Sequence, residues 1–245
     1  MIPKIIHYCW LSGDPYPEKI QFCIDSWKRV LPDYEIVLWD KQRFNLEDNL
    51  WCKQAYENKK YAFAADYIRM YALYHYGGIY LDSDVEVFKK FDELLGLPYF
   101  IGREGIGNRV EVAAFGAEKG TEWVADCMRY YEGRSFIKED GSLDTIVMPD
   151  IVYNIINSKY KINLIDKKED FIFGKDVFNE FPNDWFCANV HLHTSDTKPT
   201  YIISSNTYCV HHFANSWIKV SKFKIWVKNF MIKTGIISIY NKFKE

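Results

Sequence analysis

The hydrophobic positions in the first 85 residues follow two different periods in turn. Short apolar runs with strand length and β-prone residues occupy 4–10, 34–39 and 79–81. Apolar residues recur at three- and four-residue spacing over 17–30 and 61–76, and more weakly over 48–58. The helical pattern over 61–76 ends at the glycine pair 77–78, which is a helix-ending signal. Strands that alternate with helices in this way predict an α/β sheet with crossover helices.

The second half of the chain has a less regular pattern. It predicts strands at 99–102 and 112–115, helices at 121–131 and 142–157, and short strands and loops rich in aromatic residues over 160–210. No linker divides this part from the first, and no internal repeat is visible. We therefore expect one domain over 1–217, followed by a separate C-terminal segment, 218–245.

The composition favours a globular protein with a packed core. Of 245 residues, 48% are hydrophobic and 26% charged, which argues against intrinsic disorder. Aromatic residues make up 18%, so the rings either fill the core or stack on flat ligands. No apolar run reaches the ~20 residues that span a bilayer, and the amino terminus has no signal-peptide pattern. The six cysteines are widely spaced without a C-x-x-C pair, so we expect reduced, mostly buried thiols, no zinc site and a cytoplasmic location.

Charge is distributed unevenly along the chain. The segment 218–245 has seven lysines and one acidic residue, which give it a net charge of +6. Because the net charge of the whole chain is −2, residues 1–217 have a net charge of −8. An acidic body argues against nucleic-acid binding. The basic segment also contains Trp and Phe, and two interpretations stay open: a peripheral anchor on anionic membrane, or a helix packed on the body with its lysines in water.

The strongest chemical signal is Asp82-Ser83-Asp84, which follows the third predicted strand. In an extended segment, alternation would point both carboxylates the same way, and ligands of open α/β sheets bind at the carboxyl ends of strands. Paired carboxylates there suit Mn²⁺ or Mg²⁺ and a phosphate-bearing substrate. A solvated acidic turn is the other interpretation.

A second charged pair, Asp66 and Arg69, lies on the preceding helix. Spacing of three residues places both side chains on one helix face, where they can pair. Because the surrounding residues are largely apolar, we expect a buried pair with a polar role, such as binding sugar hydroxyls or phosphate. A surface ion pair is the alternative.

Polar and aromatic side chains are also concentrated near the end of the predicted domain. Two histidines, an amide, a hydroxyl and an indole occur there: His211, His212, Asn215, Ser216 and Trp217. They could bind metal or phosphate, or the histidines could be surface residues beside a core Trp. His7 and Trp10, on and after the first predicted strand, leave the same choice between ligand binding and structure.

Together these motifs resemble glycosyltransferase family 32. The resemblance rests on the segments 2–10, 65–85 and 211–217, in that order, and extends more distantly to the glucosylating bacterial toxins. It implies a GT-A type nucleotide-sugar-binding fold, with a mixed sheet and helices on both faces. It also implies a retaining transferase that uses a divalent cation, Mn²⁺ or Mg²⁺, and a nucleotide sugar, for which we favour UDP over GDP.

The resemblance also assigns roles to residues. Trp10 would stack on the base, which the neighbouring strand with His7 would hold, and Asp66 and Arg69 would contact the donor sugar and phosphate. Asp82 and Asp84 would bind the metal, indirectly and directly. The segment with His212, Asn215, Ser216 and Trp217 would close over the diphosphate, with His212 and Asn215 as further metal ligands. Arg69 and Trp217 would stabilise the charge that develops on the leaving phosphate.

The function expected from these motifs is sugar transfer to a glycan or lipid-linked glycan in bacterial surface or capsular polysaccharide synthesis. A cytoplasmic enzyme, peripheral on the inner membrane, would suit such an acceptor. One alternative is a phosphatase or phosphotransferase of the haloacid-dehalogenase kind, which also places D-x-D after a strand. The other is a nucleotide-sugar binder without catalytic activity, which intact Asp66, Arg69, Asp82 and Asp84 disfavour.

Overall fold

A computed structural model describes residues 1–104, 109–188, 201 and 203–214 of the chain. Within them, the strands are β1 Ile5–Cys9, β2 Glu35–Trp39, β3 Gly78–Leu81, β4 Val85–Val87, β5 Tyr99–Arg103, β6 Val110–Ala117, β7 Lys161–Leu164, β8 Val177–Glu180 and β9 Cys209–His211. The α-helices are α1 Glu18–Val30, α2 Leu50–Glu57, α3 Tyr61–Tyr76, α4 Glu122–Tyr130, α5 Met148–Lys159 and α6 Asn183–Phe186.

Five strands form a mixed sheet in the order β2-β1-β3-β6-β5. Strand β1 is parallel to β2 and β3, whereas β6 is antiparallel to both β3 and β5. The carboxyl ends of β1, β2, β3 and β5 and the amino end of β6 therefore meet at one edge. Two smaller pairs accompany the sheet: antiparallel β4–β9 and parallel β7–β8.

Helices cover both faces of the sheet, as the contacts of β1 show. Tyr8 packs edge-on against Trp27 of α1, with ring centroids 5.3 Å apart. The adjacent His7 contacts Tyr76 of α3. Because successive side chains of a strand point to opposite faces, α1 and α3 lie on opposite sides. The expected α/β fold with a mixed sheet and helices on both faces is confirmed.

The high aromatic content is used largely in the core. Among the described residues, the twelve largest fully buried side chains are all aromatic. Buried indoles find backbone acceptors: Trp27 Nε1 donates to the Val85 carbonyl at 2.7 Å, and Trp51 Nε1 to the Phe63 carbonyl at 2.8 Å. These bonds satisfy the polar atom of each ring and fix α1 and α2 against their neighbours. Five of the six cysteines are also buried, as expected.

The turn between α3 and β3 requires glycine. Gly77 and Gly78 have φ angles of +67° and +115°, in the region that residues with a Cβ rarely adopt. A Cβ on Gly78 would lie 2.7 Å from the Ile5 carbonyl oxygen, so the missing side chain lets β3 approach β1. The turn thereby leads the chain directly from α3 into the centre of the sheet.

Three elements differ from the sequence-based prediction: α5, β4 and β9. The helix predicted over 142–157 begins only at Met148, because Pro149 occupies its first turn, where a missing N–H costs nothing. The three-residue strands β4 and β9 were not predicted, since segments so short show no period. No helix among the described residues is long and apolar enough to cross a membrane. Asn215, Ser216, Trp217 and the segment 218–245 lie outside the described residues, so the predicted boundary at 217 stays a prediction.

Candidate metal and donor-sugar site

The D-x-D motif forms a tight turn at the carboxyl edge of the sheet. Asp82 follows β3, and its backbone carbonyl accepts a hydrogen bond of 3.0 Å from the N–H of Val85, where β4 begins. Its own N–H donates to the Ala113 carbonyl of β6 at 2.7 Å. The two carboxylates are thus brought together by a turn. The prediction that strand alternation would align them was wrong in this respect.

Asp82, Asp84 and His211 form a group that could hold a metal ion. One ligand atom from each lies within 4.8 Å of the others. His211 reaches the motif because β9 pairs with β4, with His211 opposite Val85, and its Nε2 lies 3.6 Å from Asp84 Oδ1. The other carboxylate oxygen of Asp84 accepts the backbone N–H of Ala214 at 2.7 Å, which fixes its orientation.

The neighbouring His212, predicted as a metal ligand, is placed elsewhere. Its Nε2 donates to the Glu86 carboxylate at 2.8 Å, and its Nδ1 bonds the Tyr201 hydroxyl at 2.8 Å. Burial lowers the pKa of His212. Both ring nitrogens are thus engaged away from the aspartates, and the structure brings His211 to the motif in its place.

Arg69 of α3 links the two predicted carboxylate sites. One guanidinium nitrogen lies 3.2 Å from Asp66 Oδ1 and 3.4 Å from Asp82 Oδ1, and the other donates to the Val112 carbonyl at 2.8 Å. The guanidinium also lies over the Tyr80 ring, 4.6 Å from its centroid. Arg69 is 4% exposed. The predicted pairing of Asp66 with Arg69 is confirmed, and the pair is buried, as expected.

The carboxylates of this site carry more negative charge than Arg69 neutralises. Burial raises the pKa of Asp66 to about 7, with Arg69 opposing the rise and Asp82 adding to it. Burial also raises the pKa of Asp82, where Asp84 adds repulsion. An excess of negative charge in a largely buried site, with a carboxylate–carboxylate–imidazole donor set, fits a bound divalent cation such as Mn²⁺. The residues present therefore suit the ion that the sequence predicts.

Two further carboxylates at this edge were missed by the sequence analysis. Glu111, at the start of β6, and Glu104, just after β5, are 3% and 8% exposed. Glu111 Oε1 lies 3.4 Å from His211 Nδ1. Burial and the charge of Glu111 raise the pKa of Glu104 to about 7. The signal that could have found Glu111 is a single acidic residue within the otherwise apolar run 110–117.

His211 consequently lies between two carboxylates. Burial alone would lower its pKa, but Asp84 and Glu111 together raise it to about 9. Glu111 in turn has a lowered pKa, because His211, the Cys187 thiol and the Ala113 N–H together outweigh the effect of burial. A buried imidazole held between carboxylates can accept either a proton or a metal ion at its Nε2.

His7 and Trp10 occupy different environments on β1 and beyond it. His7 is 1% exposed; its Nδ1 accepts from the Trp39 indole at 3.0 Å, and its Nε2 donates to the Gly77 carbonyl at 2.8 Å. Burial lowers its pKa to about 4, so it is neutral at pH 7. His7 therefore joins β1, β2 and the glycine turn. Trp10 is half-buried at the carboxyl edge, and its indole donates to the Asp14 carbonyl at 2.7 Å.

The fold and the site together define an α/β protein with a D-x-D acidic centre at the edge of its sheet. Residues 17–101, which contain Asp66, Arg69 and both aspartates of the motif, match the family described as glycosyltransferase sugar-binding region containing DXD motif. The predicted resemblance to DXD-containing glycosyltransferases is thereby confirmed for this part of the chain. This match favours the transferase over the phosphatase interpretation.

Two yeast proteins are similar to part of the chain. Inositol phosphoceramide mannosyltransferase 3 of Schizosaccharomyces pombe is 37% identical over 139 residues, which cover 52% of this chain and 36% of that protein. Mannosyl phosphorylinositol ceramide synthase SUR1 of Saccharomyces cerevisiae is 37% identical over 120 residues, or 45% of this chain and 30% of that protein. The chain thus matches about a third of the length of these relatives. Among solved structures, the PaToxG glycosyltransferase aligns over 64% of this chain and 69% of that one, with 19% identity and a TM-score of 0.46.

Proposed function

We propose that the protein is a metal-dependent glycosyltransferase that moves a hexose from a nucleoside diphosphate sugar to a hydroxyl group of a glycan or lipid-linked acceptor. The observation that carries the proposal is the Asp82–Asp84–His211 group beside buried Arg69; both aspartates and Arg69 lie inside the region that matches the DXD family. A bound divalent cation would supply positive charge at the diphosphate of the donor.

The residues of the chain have separate parts in this reaction. Asp82, Asp84 and His211 would hold the cation, and Arg69 keeps Asp82 in place through its contacts of 3.4 and 3.5 Å. Asp66 is available to accept a hydrogen bond from a sugar hydroxyl. The bond between the anomeric carbon and the phosphate oxygen breaks, a bond from that carbon to the acceptor oxygen forms, and the acceptor proton passes to the departing phosphate. We propose that the anomeric configuration is retained.

The finer parts of the proposal concern donor and acceptor. The two yeast relatives are named for the transfer of mannose and for a phosphoinositol-containing ceramide lipid. Their names support mannose as the sugar and a lipid-linked hydroxyl as the acceptor. UDP as the carrier, a role in bacterial surface or capsular polysaccharide synthesis, and a peripheral membrane location through 218–245 are further proposals. The sequence argues for them through the family resemblance and the basic segment.

A thermal-shift panel of UDP-, GDP-, CMP- and dTDP-sugars, each with and without Mn²⁺, tests the proposal. A ligand at 100 times its dissociation constant adds about 2.7 kcal/mol to the free energy of unfolding, which raises the melting temperature measurably. We expect one nucleotide class to give this shift only when Mn²⁺ is present. The same donor should then yield product with a synthetic lipid-linked acceptor, and the anomeric configuration of the product follows from its NMR coupling constants.

No shift with any nucleotide sugar, in the presence or absence of Mn²⁺, would contradict the proposal. Hydrolysis of a phosphate monoester with no response to nucleotide sugars would restore the phosphatase interpretation. Metal-dependent donor binding without transfer to any of several hydroxyl acceptors would instead support the non-catalytic binder.

A further inference from the structure

The two ring nitrogens of His211 face different carboxylates. Nε2 lies 3.6 Å from Asp84 Oδ1, and Nδ1 lies 3.4 Å from Glu111 Oε1. The ring is stacked on Phe213 with centroids 3.8 Å apart. Its side chain is 13% exposed, so protein surrounds the imidazole on most sides. The orientation of this ring therefore depends on the groups that hold it.

Glu111 is itself rigidly placed. It lies on β6 opposite Gly102 of β5, and its Oε1 accepts the Ala113 N–H at 2.8 Å. Among the described residues, its Oε2 has no hydrogen-bond partner, although that atom is buried. An ionised carboxylate in such a position is costly unless a cation compensates it. The ion-pair contact of Glu111 is with His211, so its charge is directed at that ring.

We propose that Glu111 is a positioning residue that fixes His211 for metal binding. Glu111 Oε1 lies 3.4 Å from the buried Nδ1 of His211, which makes no hydrogen bond to another described residue, so this carboxylate is placed to accept the Nδ1–H. The lone pair of Nε2 would then face Asp84. A carboxylate behind a metal-binding histidine sets the tautomer and the ring orientation and increases the basicity of the ligating nitrogen. The inference rests on the proposed function, because it takes the Asp82–Asp84–His211 group as the cation site.

Two kinds of action by Glu111 have to be distinguished. A carboxylate near the site could attract the cation simply through its charge, whether or not His211 is present. A positioning residue acts only through His211, so removing it should have no effect once the imidazole is gone. A double-mutant cycle measures this difference directly.

The experiment is a titration of the full-length protein with Mn²⁺ alone, followed by the free Mn²⁺ signal in electron paramagnetic resonance, and repeated with UDP or GDP present. We expect Glu111→Ala to weaken Mn²⁺ binding by about 10- to 100-fold, the usual effect of losing such a partner. Glu111→Gln keeps an oxygen that accepts Nδ1–H and should recover most of the affinity. Glu139→Gln, a change at an exposed residue, should bind Mn²⁺ as the parent does.

The decisive comparison is Glu111→Ala in a His211→Ala background. We expect the double variant to bind Mn²⁺ as weakly as His211→Ala alone. A further loss of 10-fold or more in the double variant would overturn the positioning role and indicate action by charge. If His211→Ala does not fold, as thermal unfolding would show, His211→Asn serves as the background.

The outcomes separate this inference from the proposed function. If Asp84→Asn abolishes Mn²⁺ binding and Glu111→Ala leaves it unchanged, the positioning role is wrong while the metal site stands. If the parent protein binds no Mn²⁺ alone, with UDP or with GDP, both the metal dependence and the positioning role are wrong.

Discussion

The site is assembled from two regions of the chain that differ in how they place their charged groups. Residues 61–87 supply Asp66, Arg69, Asp82 and Asp84 from one helix, one strand and the turns beside them. Residues 109–214 supply Glu111 and His211, which reach the same edge through strand pairing. Ala214 bonds Asp84 across 130 positions of sequence.

This difference explains why only the first region carries a recognisable motif. Its geometry comes from local turns and helical spacing, so the residues must stand at fixed separations along the sequence. In the second region, the register of the β4–β9 and β5–β6 pairs determines where Glu111 and His211 lie. Strand pairing of this kind does not require a fixed number of residues between the paired segments. The match to the family ends at residue 101, before Glu111 and His211. The first region is thus recognisable from sequence, whereas the second region completes the candidate site through tertiary contacts.

The largest expected effect concerns the stability of the first region. Arg69→Met would leave the buried carboxylate of Asp66 and the half-buried carboxylate of Asp82 without their cation. Removing one partner of a buried ion pair costs about 3–5 kcal/mol. Urea unfolding at pH 7.5 measures the loss. Arg29→Met, on the exposed side of α1, is the matched control and should change stability little. A loss below about 1 kcal/mol for Arg69→Met would show that the guanidinium does not hold the site together.

The next effect separates chemistry from folding within the same region. Asp84→Asn should lower Mn²⁺-dependent transfer by about 10³-fold, because it removes the carboxylate charge opposite His211. The melting temperature should stay close to that of the parent. Asp176→Asn, at an exposed position, controls for charge. Undiminished Mn²⁺-dependent turnover in Asp84→Asn would rule out this aspartate as a metal ligand.

A pH-dependent effect is expected in the second region, away from the metal group. Burial raises the pKa of Glu180 from 4.5 to about 7, with Arg103 opposing the rise. The native state therefore binds more protons than the unfolded state between pH 4.5 and 7, and stability from this group falls as pH rises through that window. Each pKa unit corresponds to about 1.4 kcal/mol, so the loss is roughly 3 kcal/mol.

Glu180→Gln resembles the protonated form and should remove this dependence. Its free energy of unfolding should match that of the parent near pH 4 and exceed it by up to roughly 3 kcal/mol above pH 7. Denaturant unfolding at pH 4, 5.5, 7 and 8 gives the profile. A difference between the two proteins that is constant with pH would mean that Glu180 titrates normally.

The smallest expected effect is a difference in Mn²⁺ affinity between variants of the adjacent residues His211 and His212. His211→Asn should weaken Mn²⁺ affinity by about 10- to 100-fold. His212→Asn should leave it near the parental value, because His212 is bonded to Glu86 and Tyr201. Mn²⁺ titrations of both variants measure the contrast. The reverse order of effects would return the metal-binding role to His212.

Much of the first region was predictable because its signals are local. Helical spacing gave α3 with the limits that the structure shows, and it gave the Asp66–Arg69 pair. The position of Asp82 after a strand also followed from the pattern. The turn at 82–85 was not predictable, since an extended segment and a turn both bring alternate carboxylates within reach of one ion. Glu111 was missed for a related reason: one acidic residue in a strand does not show what lies opposite it.

By itself, the sequence determined the α/β class, the glycine turn and the carboxylates that the D-x-D motif carries. These depend on hydrophobic period and on backbone conformations that only particular residues adopt, and both act over a few neighbouring residues. Only the tertiary structure decided which of two adjacent histidines meets Asp84 and that Glu111 lies behind it. His211 is the last residue of β9, opposite Val85 of β4, and His212 follows the strand. The choice between them therefore depends on how β9 aligns with β4, a pairing of segments far apart in sequence.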